Sequence, residues 1–139
     1  MYIHKNKPNK AMEAEIFALC DYSKIQEDKL NIFGVFDTLR VKELPLIHPL
    51  FFIAGRIRFE DGEMGKYTVR IDIINSAGEK PFESITVETN ARINVGFPVF
   101  SFCKTFTNVR FNKYGRYSIT LHVNEKPLKT IPLVISPVM

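Results

Sequence analysis

Tryptophan is missing from these 139 residues, and cysteine and histidine are scarce, at two and three. Seven glycines are too few and too scattered for a phosphate-cradling loop. No Gly-x-Gly-x-x-Gly or P-loop spacing occurs, so glycine-loop nucleotide binding is excluded. The histidines, His4, His48 and His122, stand far from one another and from the cysteines. No Cys-x-x-Cys or His-x-x-x-His spacing exists, and no metal or cofactor is expected. The acidic turn Glu60–Glu63, "EDGE", is read as a turn rather than a calcium loop. Long apolar runs are absent as well: Ala14–Cys20 is short and holds Glu15, so neither a signal segment nor a membrane span is expected.

What is present is aromatic and alternating. Twelve phenylalanines and five tyrosines supply large buried area, most of it without a polar group to satisfy. Phe51, Ile53, Gly55, Ile57 and Phe59 alternate with more polar neighbours. Tyr67–Ile73, Ile85–Val95 and Tyr117–Val123 do the same. A period of two marks half-buried strands. Residues 30–39 are apolar on both faces and predict a central strand, and residues 97–111 predict a long, bulged one. Asp61-Gly62, Ser76–Glu79 and Asn124-Glu125-Lys126 read as hairpin turns. Pro45 and Pro49 bracket an extended loop, and Pro132 requires an edge or a bulge. Tyr22–Lys29 is the one short helical or loop candidate. The expectation is an all-β fold, an antiparallel immunoglobulin-like β-sandwich of about seven to eight strands, with a closed β-barrel as the alternative. Gly115-Arg116-Tyr117 resembles the tyrosine corner of such sandwiches, without their disulfide or tryptophan.

Length favours one domain. Residues 1–11 are expected to form a disordered basic leader, and 12–139 the single sandwich domain, with Met12 an alternative chain start. The net charge of +4 sits mainly on that leader, which holds Lys5, Lys7 and Lys10 and no acid. The remaining sequence is nearly balanced, which argues against a nucleic-acid partner. Cys20 and Cys103 lie far apart in sequence, and reduced, buried thiols of a cytoplasmic protein are the expectation.

Two candidate constellations emerge. Cys20, followed by Asp21, is a nucleophile candidate with His48 as its base. Its position beside strand-like apolar residues favours a core thiol instead. Arg56, Arg58, Arg70 and Arg92 fall on polar strand faces and would form a basic ligand-binding face if their strands were neighbours. Glu60, Asp72 and Glu88 fall on the same sides, so charge pairing is the simpler reading.

Further residues carry a family likeness: Leu-Cys-Asp at 19–21, Lys-Leu-x-Ile-x-Gly-x-Phe-Asp at 29–37, Leu-Pro then His-Pro at 44–49, Gly-x-Tyr at 115–117 and Pro-Leu-x-Ile at 132–135. Together they resemble a family of small bacterial proteins whose domain has no known function. The likeness spans roughly residues 13–135. It implies a cytoplasmic bacterial protein and carries no catalytic residue or cofactor with it. The functional expectation is a non-enzymatic module that binds a protein or assembles with itself. It would use a sheet face or an edge strand, the hairpin Tyr117–Ile135 among the candidates. The alternative is a small-ligand carrier or a small enzyme using Cys20 and His48. Neither nucleic acid nor membrane is expected as a partner.

Overall fold

The computed structural model describes residues 12–59, 65–77, 85–93 and 98–138, with 85–93 described as backbone. The leader 1–11, the turn at Asp61-Gly62, the acidic turn 60–63 and the second half of the turn at 76–79 lie outside those residues. Every regular element described is a strand. In chain order these are β1 (Met12–Gln26), β2 (Lys29–Val35), β3 (Thr38–Val41), β4 (Leu46–Phe59), β5 (Gly65–Ile74), β6 (Ile85–Ile93), β7 (Val99–Phe111), β8 (Gly115–Val123) and β9 (Lys126–Pro137). They form two sheets, ordered β2-β1-β4-β7 and β3-β9-β8-β5-β6. All pairs are antiparallel except β3 with β9.

The alternating residues meet between the sheets. Leu19, Ile53, Ile57, Ile71, Ile119 and Leu133 are at most 1% exposed, and the larger rings fill the space around them. Phe51 stacks on Phe106 with ring centroids 5.1 Å apart. Gly55 faces Phe102 across the β4–β7 pair, and a Cβ on Gly55 would lie 2.2 Å from the Phe102 ring. That ring therefore occupies the volume a side chain would take. Such an aromatic laid over a cross-strand glycine fills what would otherwise be a void.

The tyrosine corner forms. Tyr117, 2% exposed, donates its hydroxyl to the Lys113 carbonyl at 2.9 Å. Lys113 N–H donates to the Tyr117 hydroxyl oxygen at 3.3 Å, and Gly115 between them takes φ +120°, a left-handed region that favours glycine. Pro132 pairs with Ser118 on β8 just before β3 joins the other side of β9 at Val134, so it occupies a locally open edge.

The expected all-β sandwich stands, with nine strands described where about seven to eight were expected. Several local expectations are corrected. Residues 30–39 are not one central strand: β2 is an edge strand, and the chain then crosses to the other sheet at Asp37 and starts β3. Their apolarity on both faces reflects that crossing, with Phe36 and Leu39 packing on the core. Tyr22–Lys29 is neither helix nor loop. Strand β1 runs on to Gln26 and turns through Glu27 and Asp28 at φ 52° and 62°. That is a two-residue hairpin turn built from residues that rarely signal one. The stretch between Pro45 and Pro49 is already β4. Pro49 falls opposite Asn108, which has φ 52°, and the ladder skips this rung. The buried positions change parity there on both strands, from Phe51 and Ile53 on β4 and Phe102 and Phe106 on β7 to Val109 and Phe111. One proline and one left-handed residue thus bend both strands together without a register slip.

Candidate functional site

The outer face of the four-stranded sheet is the unusual surface of the described molecule. Ala18 faces Ala54, and Ala54 faces Cys103, so small residues cross the sheet in one row. Cys20 and Ala54 are fully buried, yet neither belongs to the cluster between the sheets. What covers them is the far half of the β1–β2 hairpin. Ser23 Oγ lies 2.9 Å from Cys103 Sγ on β7, two strands away. In a flat sheet those two strands would be about 10 Å apart, and Ser23 would sit well beyond the Cys103 rung. The contact requires the hairpin to cross over the face, and the small residues beneath make room for it. Gly34, with φ 69°, lies where the ladder omits the pair with Asp21, and a Cβ there would meet the Asp21 carboxylate.

The hairpin carries aromatic residues outward. Phe33 is 53% exposed and Val35 65%. Tyr22, paired with Phe33, has its ring 5.9 Å from Phe33 and 5.2 Å, edge-on, from Phe52 of β4. Leu50 is exposed two residues before Phe52. These side chains form one apolar patch, whereas Lys24, Glu27, Asp28 and Lys29 surround the hairpin tip with both signs of charge.

Cys20 and His48 are placed on opposite sides of this sheet. Cys20 donates to the Phe52 carbonyl at 3.6 Å, and burial pushes its thiol up to about 11, with Cys103 and Asp21 adding to the rise. The geometry withholds both exposure and thiolate, which a nucleophile needs. His48 follows the parity of the buried Val109 opposite it and lies against Phe51 and Phe36, at 5.7 and 6.2 Å between rings. Burial holds its pKa below the usual 6.5, against the opposing charge of Asp21. No hydrogen bond joins Cys20 to His48 among the described residues.

The arginine face does not assemble. Arg56 and Arg58 stand on β4, and Arg70 stands on β5 of the other sheet; the Arg92 side chain lies outside the described residues. Glu15 takes both β4 arginines, Arg56 at 2.8 Å and Arg58 also through its Nε. Those bonds, that of Arg58 foremost, hold the Glu15 carboxyl below its ordinary 4.5. Arg70 bonds Asp72 at 3.1 Å and Glu125, and His122 Nδ1 lies 3.4 Å from the same Asp72. These are paired charges; of the acids expected to pair, Asp72 does so, Glu60 and the Glu88 side chain lie outside the described residues, and Glu15 and Glu125 are partners the strand faces did not indicate. The patch itself eluded the sequence because Tyr22 and Phe33 read as a loop residue and a core residue. The available signal was Glu27-Asp28 as a turn, which would have set Tyr22 against Phe33.

Among the described residues no group of three or more His, Cys, Asp or Glu could hold a metal ion, and no helix is long and apolar enough to cross a membrane. Two sheets, antiparallel but for the β3–β9 pair and sealed by a tyrosine corner, define an all-β sandwich of immunoglobulin-like type. Residues 15–136 match the model of a family of unknown function, DUF6941, and the chain belongs to that family. No curated protein matches it in sequence. Among solved structures it is similar to the alkylpurine DNA glycosylase AlkC of Pseudomonas fluorescens, bound to DNA containing an abasic-site analog. The TM-score is 0.56 at 9% identity, over 91% of this chain and 30% of that one. It is also similar to a β-glucosidase of Listeria innocua in complex with glucose, with TM-score 0.50 at 5% identity, over 90% of this chain and 16% of that one. An immunoglobulin-like protein of Pseudomonas aeruginosa matches with TM-score 0.42 at 8% identity, over 92% of this chain and 98% of that one. At such identities the likeness concerns the fold alone.

Proposed function

We propose that this protein is a non-enzymatic binding or assembly module whose contact element is the β1–β2 hairpin. The observation that carries this reading is the exposed patch of Tyr22, Phe33 and Val35, continuous with Phe52 and Leu50. A contiguous apolar patch costs solubility unless something covers it. Contact through the face is favoured over strand addition at an edge. β2 is interrupted by left-handed Gly34, β7 by left-handed Asn108, and β3 is four residues long. Interrupted and short edges are poor templates for a further strand, which leaves β6, nine residues long, and the first part of β9 as the edges open to strand addition among the described residues. The last hairpin is a weaker candidate, since β8 lies inside its sheet and β3 covers the end of β9. Two thiols outside any disulfide suit a reducing, cytoplasmic compartment. The test is affinity capture from cells that make the protein, with wild type, Phe33→Ser and Thr130→Ala run in parallel. A species held by wild type and Thr130→Ala but lost with Phe33→Ser is expected. Equal capture by all three would overturn the assignment.

A further inference from the structure

We propose that the occupant of the patch is a second copy of this chain, in a two-fold dimer formed face to face over Tyr22, Phe33 and Phe52. This rests on the reading of the hairpin as a contact element and adds the identity of the partner.

Area is the first argument. Tyr22, Phe33, Val35 and Leu50 are between 45% and 65% exposed, and Phe52 is half-buried beside them. Taking about 200 Å² for a large aromatic side chain and somewhat less for an aliphatic one, they offer roughly 400 Å² of apolar surface per copy. Two copies contribute roughly 800 Å², and homodimer interfaces are about 65% apolar, so the whole would bury about 1,200 Å². That is the lower edge of specific, stable interfaces. The patch is thus large enough for a reversible dimer and too small for an obligate one.

Charge is the second. Lys24 and Lys29 stand with Glu27 and Asp28 around the hairpin tip, all exposed. Such a rim neither repels a copy of itself nor steers a strongly charged partner toward it. A two-fold contact brings the same patch against itself, and the apolar centre with a balanced rim meets that condition. Shape is the third: the patch lies on a hairpin already docked on its own sheet through Ser23 and Cys103. A face fixed in advance loses less conformational freedom on binding.

The experiment is sedimentation velocity on the full chain, from about 1 to 300 μM, a range that brackets a weak dimer. Wild type is expected to shift from monomer to dimer across that range. Phe33→Asp and, independently, Tyr22→Asp are expected to raise the dissociation constant at least about tenfold, the loss expected for a central interface residue. Thr130→Asp, on the other sheet, should leave it unchanged. Circular dichroism and a thermal melt on each variant establish that it is folded, and either hairpin variant suffices if the other is not. A monomer at every concentration overturns the proposal, as does a dimer indifferent to both hairpin variants. In the monomer case, a captured protein that depends on Phe33 would leave the contact-element reading standing; capture that does not depend on Phe33 would remove both.

Discussion

The two sheets turn very different outer faces to their surroundings. On the five-stranded sheet, Arg70 pairs with Asp72 and Glu125, His122 leans on Asp72, and Thr120 bonds Thr130 at 3.0 Å. Arginine, carboxylate and threonine side chains there pair with one another along and across strands, which is how a wetted antiparallel sheet is stabilised, while buried His122 Nδ1 makes no hydrogen bond among the described residues. The four-stranded sheet has such a cluster at one end, where Glu15 holds Arg56 and Arg58. Its other end carries small buried residues, a hairpin laid over them, and exposed rings. One fold thus presents a finished surface and an unfinished one. The aromatic rings left in water on the unfinished side add little to the stability of the monomer.

The contrast can be attacked at four points. It presupposes a rigid inner face beneath the patch, and Gly55→Ala strikes there. The added methyl collides with the Phe102 ring, with an expected loss of about 2–3 kcal/mol by chemical denaturation. Phe102→Leu in the same chain should recover part of it; a neutral Gly55→Ala would show that the ring moves freely. On the polar face, Asp72→Ala leaves Arg70 and His122 short of a partner, and Arg70 keeps Glu125, so about 1–2 kcal/mol is expected.

The Glu15 cluster should matter less. Its two arginines lower the carboxyl below 4.5 in the folded state. That stabilisation is present above the unfolded value and is lost as pH falls through the folded one. Glu15→Gln is expected to cost at most about 1 kcal/mol at neutral pH. The gap to wild type should narrow as pH falls below 4.5 and through the lowered folded value. A gap that widened in acid would contradict the sign. Smallest of all, Phe33→Ser should change monomer stability by no more than about 0.5 kcal/mol, measured at low concentration, because the ring rests on Tyr22, which is itself exposed, and not on the core. A loss of several kcal/mol would mean that Phe33 belongs to the core and that the two outer faces do not differ as described.

The sandwich was legible because its strands obey a period of two wherever one face is buried. Tyr67–Ile73 and Tyr117–Val123 needed nothing more, and Gly115-Arg116-Tyr117 marked the corner. The hairpin was less legible for physical reasons. Glu27-Asp28 adopts a turn usually filled by asparagine and glycine, so the polar run 21–29 resembled a loop. Residues 30–39 looked central because their apolar side chains serve two purposes: Phe36 and Leu39 fill the core, and Phe33 and Val35 remain outside. Apolarity by itself does not distinguish a ring buried in a core from a ring waiting for a partner. The arginine face failed on topology: β4 and β5 are consecutive in sequence yet belong to different sheets, and no periodicity reports that crossing.

The central claim is that one outer face makes contacts and the other does not. The most direct measurement places a photo-crosslinking residue at position 33 and, in a separate chain, at position 130, and illuminates both in living cells. Discrete covalent adducts from position 33, with none from position 130, are the predicted result. Equal yields from the two positions, or no adduct from position 33 at any expression level, would contradict it.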